Sequence, residues 1–332
     1  MSTNGRADRT PAQRVLDEVD RVVLGKRPVL TIVLATIMAG GHVLLEDLPG
    51  LGKTLTAKSF ATALGLGVTR VQFTPDLLPA DLVGSAVYNA GSGEFEYRAG
   101  PIFTNVVIAD EINRTPPKTQ SALLEAMAEE QVTVDGVTRR LPSPFVVLAT
   151  ENPVEHEGTY ALPQAQLDRF AVRLRLGYLG AGEEKSLLRQ RVDRTVREPR
   201  ARRVVEAADV LGMRAAVEGV AVHDDVLEYI VALVRSTRSH VQVEVGASPR
   251  AELDLLQLAR AHALLDGRDF VLPEDVKLLA VPVLSHRLAL RAETWVRRVR
   301  GESVVQDILD RVPVPRIPAR PESNGLVRSH GR

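Results

Sequence analysis

The 332 residues carry 42 Lys+Arg against 42 Asp+Glu, so no global field draws the chain onto nucleic acid or an acidic membrane. Hydrophobic residues at 45% and charged residues at 25% match an ordinary soluble protein, of about two domains by length. The absence of cysteine excludes disulfides, thiolate catalysis and cysteine-ligated zinc.

In chain order, residues 1–10 are polar and hold no apolar stretch, so a flexible start, no secretory signal and a cytoplasmic location are expected. Thr10-Pro11-Ala12-Gln13 is a capping box with Pro in the first helical position. Residues 28–45 contain no formal charge and mimic a membrane span, but Gly40-Gly41 interrupts them. They read as a buried helix over 28–39 and a strand over 42–46, with no span expected. Further apolar, β-branched runs at 68–73, 105–110, 145–150 and 171–176 alternate with helical patterns. That rhythm predicts an α/β fold, a parallel sheet with helices on both faces.

Thr115-Pro116 and Ser248-Pro249 repeat the cap-then-Pro signature. Residues 86–98 and 131–141 read as hairpins, the second around Asp135-Gly136. Strands are expected to stop near residue 180, followed by helices over 183–193, 206–217, 224–237, 249–265, 273–290 and 302–309. The expected division is a core over 11–180, an Arg-rich linker over 181–205, a helical region over 206–311 and a disordered Pro-rich tail over 312–332. Residues 189–203 hold seven Arg, which read as a solvated helix and linker, with an acidic or nucleic-acid contact as the alternative. The seven His are scattered, and His156-Glu157 lacks the second His, at Tyr160, that a zinc protease needs.

The chemistry concentrates after the first strand. Asp47-Leu48-Pro49-Gly50-Leu51-Gly52-Lys53-Thr54 leads into a helix over 54–64, the strand–loop–helix arrangement of a P-loop. In the loop Pro49-Gly50-Leu51-Gly52, backbone N–H groups from Gly50 onward and at the helix start can crowd around phosphate oxygens, Lys53 can reach the β- and γ-phosphates, and Thr54 can face Mg²⁺. Asp47 stands where the strict pattern has its first Gly. The apolar strand Val106-Val107-Ile108-Ala109 ends in Asp110-Glu111, which suits metal binding by Asp110 and a general base at Glu111. Asn152, just past the next strand, suits positioning of water. Arg169 precedes the last strand. Arg250 sits in a first helical turn, where it opposes the helix dipole and points to an anionic partner.

The chain resembles the MoxR type of AAA+ ATPase. The likeness runs from about Val22 to Leu309 and is dense in Gln72-Phe73-Thr74-Pro75-Asp76-Leu77-Leu78-Pro79, Gly100-Pro101-Ile102-Phe103, Ala109-Asp110-Glu111-Ile112-Asn113-Arg114, Gln120-Ser121-Ala122-Leu123-Leu124-Glu125-Ala126-Met127 and Glu157-Gly158-Thr159-Tyr160. It implies an AAA+ P-loop core with a C-terminal helical lid, ATP and Mg²⁺ as ligands, and adenine packing on Val23-Leu24-Gly25. By position it makes Asn152 sensor 1, Arg169 the arginine finger and Arg250 sensor 2. It also implies a homo-oligomer, a hexameric ring, and hairpins aimed at a pore or a protein client, such as one with a von Willebrand A domain. Glu151 and Gln164 depart from the family, which usually carries Gln and Glu there. Nucleic acid is not an expected partner. Two other functions stay open on the residues: a DNA-directed motor, and a scaffold that uses nucleotide only as a switch.

Overall fold

The computed structural model describes residues 9–153, 159–193, 199–296 and 299–316. The expected flexible start and most of the Pro-rich tail lie outside these residues, as do Glu157-Gly158 and positions 194–198 of the Arg-rich stretch.

Helix α1 (Pro11–Val22) starts as expected: Thr10 Oγ1 accepts from Gln13 N, and Gln13 Oε1 accepts from Thr10 N, each at 3.2 Å. Helix α2 (Arg27–Met38) is buried from Ile32 to Met38, which explains its uncharged run as core. Strand β1 (Val43–Glu46) leads to α3 (Lys53–Ala63), β2 (Val68–Gln72) and the short α4 (Pro79–Val83). The first hairpin is β3 (Gly84–Asn89) with β4 (Glu94–Ala99), followed by β5 (Val106–Asp110) and α5 (Pro117–Glu129). The second hairpin is β6 (Gln131–Val134) with β7 (Val137–Arg140). Strand β8 (Val146–Glu151), α6 (Gln164–Leu167) and β9 (Val172–Leu174) complete the core.

The five core strands form a parallel sheet in the order β2-β5-β8-β1-β9. Successive strand residues face opposite sides. Val106 and Ile108 therefore enter one apolar cluster with Val146 and Leu148, while Val107 and Ala109 enter another with Val147 and Ala149. Because the strands are parallel, every carboxyl end lies on one edge, where a doubly wound sheet binds its ligand.

The C-terminal part contains α7 (Ala181–Asp193), α8 (Ala207–Glu218), α9 (Asp224–Ser239), β10 (Val243–Val245), α10 (Pro249–Leu265), α11 (Pro273–Leu284), β11 (Ala289–Leu290), α12 (Glu293–Val296) and α13 (Gly301–Arg311). Its apolar residues join those of α1–α3 in a single cluster. The described end of the expected linker is tied down, since Arg202 N donates to Glu18 at 2.7 Å and Val204 N to Ala63 O at 3.0 Å.

Three expectations need correction. The helix expected over 273–290 ends at Leu284, where Pro282 has removed a last-turn N–H, and a 3-10 turn follows at Ser285–Arg287. Strands do not stop near residue 180, because β10 and β11 pair antiparallel. Thr115 does not cap α5; Pro116 takes that position and Thr115 is buried.

Candidate functional site: two edges of one sheet

The P-loop leaves the carboxyl end of β1. Gly52 caps α3 in a left-handed conformation (φ 89°), and no side chain caps that helix. A Cβ at Gly52 would meet nothing within 4 Å, so the backbone angle, rather than space, demands glycine. The first turn of α3 is thus left facing the loop, as phosphate binding requires. Lys53 Nζ donates to Asp47 O and, at 3.0 Å, to Glu151 O. Burial lowers its pKa, against the charges of Asp47, Glu111, Asp110 and Glu151.

Asp47 has a local explanation. Its buried carboxylate accepts Leu48 N at 3.1 Å and Gly177 N at 2.7 Å. It therefore ties the P-loop to the segment after β9. That segment also carries Tyr178, whose carbonyl accepts Lys26 Nζ at 2.8 Å. Next to it, Gly25 (φ 68°) approaches so closely that a Cβ would lie 2.6 Å from Glu183 Cγ and 3.2 Å from Leu179 Cδ2. The loop containing Val23 and Gly25 is therefore linked to the P-loop through residues 177–183.

Asp110 is buried at the end of β5. Thr54 Oγ1 lies 3.2 Å from both its carboxylate oxygens, Thr150 Oγ1 donates at 3.0 Å and Arg70 Nε at 2.6 Å. A hydroxyl paired with a carboxylate is a hard-oxygen set that fits Mg²⁺. Among the described residues no group of three His, Cys, Asp or Glu side chains could hold a metal. The fit is thus to an ion that takes its remaining ligands from phosphate and water.

Glu111 adopts a left-handed backbone (φ 57°, ψ 51°), which is uncommon for a residue other than glycine and costs energy. Its N–H donates to Thr150 Oγ1 at 2.9 Å. Its Oε2 accepts from Gln72 Nε2 at 2.7 Å and Arg114 Nη1 at 3.1 Å. The roles of Arg70, Gln72 and Thr150 were missed from the sequence. The signal for the first two was register: Gln72 pairs with Asp110 across β2 and β5, and Arg70 lies two residues before it. Asn152 is buried beside this edge, and its carbonyl accepts Asn113 Nδ2 at 3.2 Å.

Glu151 takes a position where burial, then the Glu46 charge, raises its carboxyl pKa against Arg173 and Lys53. A raised folded-state value means that the folded protein holds this proton longer than the unfolded chain does. Its contribution to stability is therefore full below the ordinary carboxyl pKa and is lost as pH rises through the raised one. Glu151→Gln should raise the melting temperature near neutral pH and give a smaller difference well below the ordinary carboxyl range. Thermal melts across pH showing the opposite trend would contradict this.

Arg169 and Arg250 lie elsewhere. Val172 pairs with Val43 at the start of β1, and Ala171 N donates to His42 O at 3.0 Å. Arg169, with Nη1 donating to Leu124 O at 3.1 Å, is therefore on the amino edge, a strand length from its own P-loop. Ser248, the N-cap of α10, places its Oγ 3.4 Å from Asp168 Oδ2. Exposed Arg250 follows it in the first turn. His42, at this same edge, has its pKa lowered to about 4 by burial, with Arg214 and then Arg250 adding to the effect. The structure thus brings Lys53, Thr54, Asp110, Glu111 and Asn152 together and sets Arg169 with Arg250 on the opposite edge.

Residues 42–172 match the model of the ATPase family associated with various cellular activities (AAA), and residues 235–308 match that of the AAA lid domain. The fold is that of an AAA+ ATPase. The chain is 48% identical to the uncharacterized protein YeaC of Bacillus subtilis, covering 91% of this chain and 94% of that one. It is 40% identical to Chaperone MoxR1 of Mycobacterium tuberculosis, covering 95% and 85%. The crystal structure of a candidate ATPase from Cytophaga hutchinsonii superposes with a TM-score of 0.84 at 41% identity, covering 92% and 95%. The chain belongs to the MoxR-type AAA+ ATPases. Among the described residues no helix is long and apolar enough to cross a membrane.

Proposed function

We propose that this protein binds and hydrolyses Mg²⁺-ATP at interfaces between its own copies and uses the cycle to remodel or mature partner proteins in the cytoplasm. One observation carries the reading: Lys53, Thr54, Asp110 and Glu111 lie at one edge of the sheet, and the cations Arg169 and Arg250 lie at the other. Head-to-tail packing of copies brings the two edges together, and it closes into a ring when the rotation from copy to copy completes a circle. Family resemblance makes the ring hexameric. In this reading residues 11–180 are the nucleotide-binding core and 206–311 the lid.

Pro49, Gly50, Leu51, Gly52 and Lys53 cradle the phosphates, and Val23 and Gly25 pack on adenine. Thr54 and Asp110 would hold a magnesium ion, which would supply positive charge against the β- and γ-phosphates. Glu111 leaves Gln72 and Arg114, orients a water and accepts its proton as the water attacks the γ-phosphorus; the bond to the β,γ-bridging oxygen breaks, and ADP and inorganic phosphate leave. Asn152 holds that water in line. Arg169 and Arg250 of the adjoining copy stabilise the charge that develops on the transferred group.

A relative named a chaperone supports the client reading. So does the groove between the hairpins, lined by Ala86, Phe95, Tyr97, Lys118, Val134 and Arg139. Tyr88, Phe95 and Val137 are exposed on the hairpins, which gives an unfolded or extended segment apolar surface to contact. A client with a von Willebrand A domain follows from resemblance alone.

Lys53→Ala tests the phosphate site. Loss of charge-assisted hydrogen bonds should weaken ATP binding by about 10- to 100-fold. Direct titration giving native affinity would remove the P-loop from the reading.

A further inference from the structure

Arg287 is a cation whose side chain is only 1% exposed, far from the phosphate-binding edge. It touches three parts of the chain at once. Its Nε lies 2.9 Å from Asp168 Oδ1, an ion pair out of line for a hydrogen bond. Its Nη2 pairs with the Asp254 carboxylate on α10 and donates to Phe170 O at 3.0 Å and Asp168 O at 3.3 Å. Its Nη1 donates to Val283 O on α11 at 3.2 Å.

The neighbours of Arg287 hold the same segment. His286 Nε2 lies 3.0 Å from Phe170 O, and burial, with the Arg287 charge, keeps this imidazole neutral. Gln164 Nε2 donates to His286 O at 2.7 Å. The amide at Gln164 supplies an N–H that the carboxylate usual in the family could not. Arg169 lies between the two residues, Asp168 and Phe170, that Arg287 grips. Asp254 lies four residues after Arg250, on the same face of α10. Burying a guanidinium among carboxylates is a costly way to fill a core, and an apolar side chain would pack more favourably. What the planar fork adds is geometry.

We propose that Arg287 is a positioning residue for the amino edge: it fixes the Asp168-Arg169-Phe170 segment to α10, so that Arg169 and Arg250 are presented together to the nucleotide of the adjoining copy. The proposal rests on the reading that Arg169 acts across the interface. It assigns the lid a task beyond packing, because lid helices α10 and α11 set where the finger points.

The test is subunit mixing with Arg287→Lys, which keeps the charge and loses the fork, and with Asp254→Asn, which weakens the same clamp at a partly exposed site. Each variant should bind ATP with native affinity, while kcat falls by about 100-fold, as for a displacement of roughly 1 Å. Mixed with Lys53→Ala subunits, whose fingers are sound, the variants should regain turnover. Mixed with Arg169→Ala subunits, they should not, because both partners then present defective fingers. A subunit damaged merely in folding restores neither mixture. Native kcat, loss of ATP affinity, or rescue by Arg169→Ala but not by Lys53→Ala would overturn the proposal. The control mixture of Arg169→Ala with Lys53→Ala separates the two layers. Turnover there without rescue of either clamp variant refutes the clamp alone, whereas none there refutes action across the interface and the clamp with it.

Discussion

Glu111→Gln is expected to bind ATP as the native protein does and to turn it over about 10²- to 10⁴-fold more slowly, the range that general-base catalysis supplies. The amide has nearly the same shape, so the left-handed turn at Glu111 and its N–H bond to Thr150 should persist. Asp110, Thr54 and Lys53, the proposed holders of phosphate and metal, are untouched by the change. The lost function is proton acceptance, since an amide oxygen is a far weaker base than a carboxylate. The contact with Gln72 can survive as an amide–amide hydrogen bond, while the ion pair with Arg114 is lost. Equilibrium binding and kcat measured on one preparation check both halves. Near-native turnover would remove Glu111 as the base, and lost binding would show that its role is structural.

Arg169→Ala should leave ATP affinity nearly intact and lower kcat by about 10³- to 10⁵-fold, the span attributed to docked arginine fingers. Among the described residues its guanidinium makes one modest hydrogen bond, to Leu124 O, so truncation removes little from the fold. Arg169 lies a strand length from its own P-loop, because β9 and β1 run parallel and Arg169 precedes the residue that pairs with Val43. For the same reason, specific activity of the native protein should rise with protein concentration as copies associate. Full activity of Arg169→Ala would contradict the assignment.

The sheet was legible because its central strands β1, β5 and β8 are short apolar runs buried almost throughout, and all five strands appear within about two residues of where the pattern put them. The P-loop was legible because a Gly-Lys-Thr turn between strand and helix is a dense local signal. Signals that depend on distant partners were not. Gln72 and Arg70 sit on an edge strand and read as ordinary exposed side chains until register places Gln72 beside Asp110. Arg250 could be assigned to a first helical turn, but the edge that α10 approaches is set by Arg287 gripping Asp168 from 119 residues away. The pattern over 273–290 looked like one helix because Pro282 is tolerated near its end, and β11 has only 2 residues, too few to show an alternation. Asp47 looked like a defect in the loop, yet the Leu48 and Gly177 N–H groups give its carboxylate a place.

The central claim is that each nucleotide is hydrolysed by groups from two copies of the chain. Mixing Arg169→Ala with Lys53→Ala subunits, each nearly inactive alone, tests it most directly. In mixed assemblies an intact P-loop from the first meets an intact finger from the second, so turnover should exceed the sum of the separate preparations and depend on their ratio. Turnover that stays at that sum, while light scattering shows the two proteins co-assembled, would contradict the account.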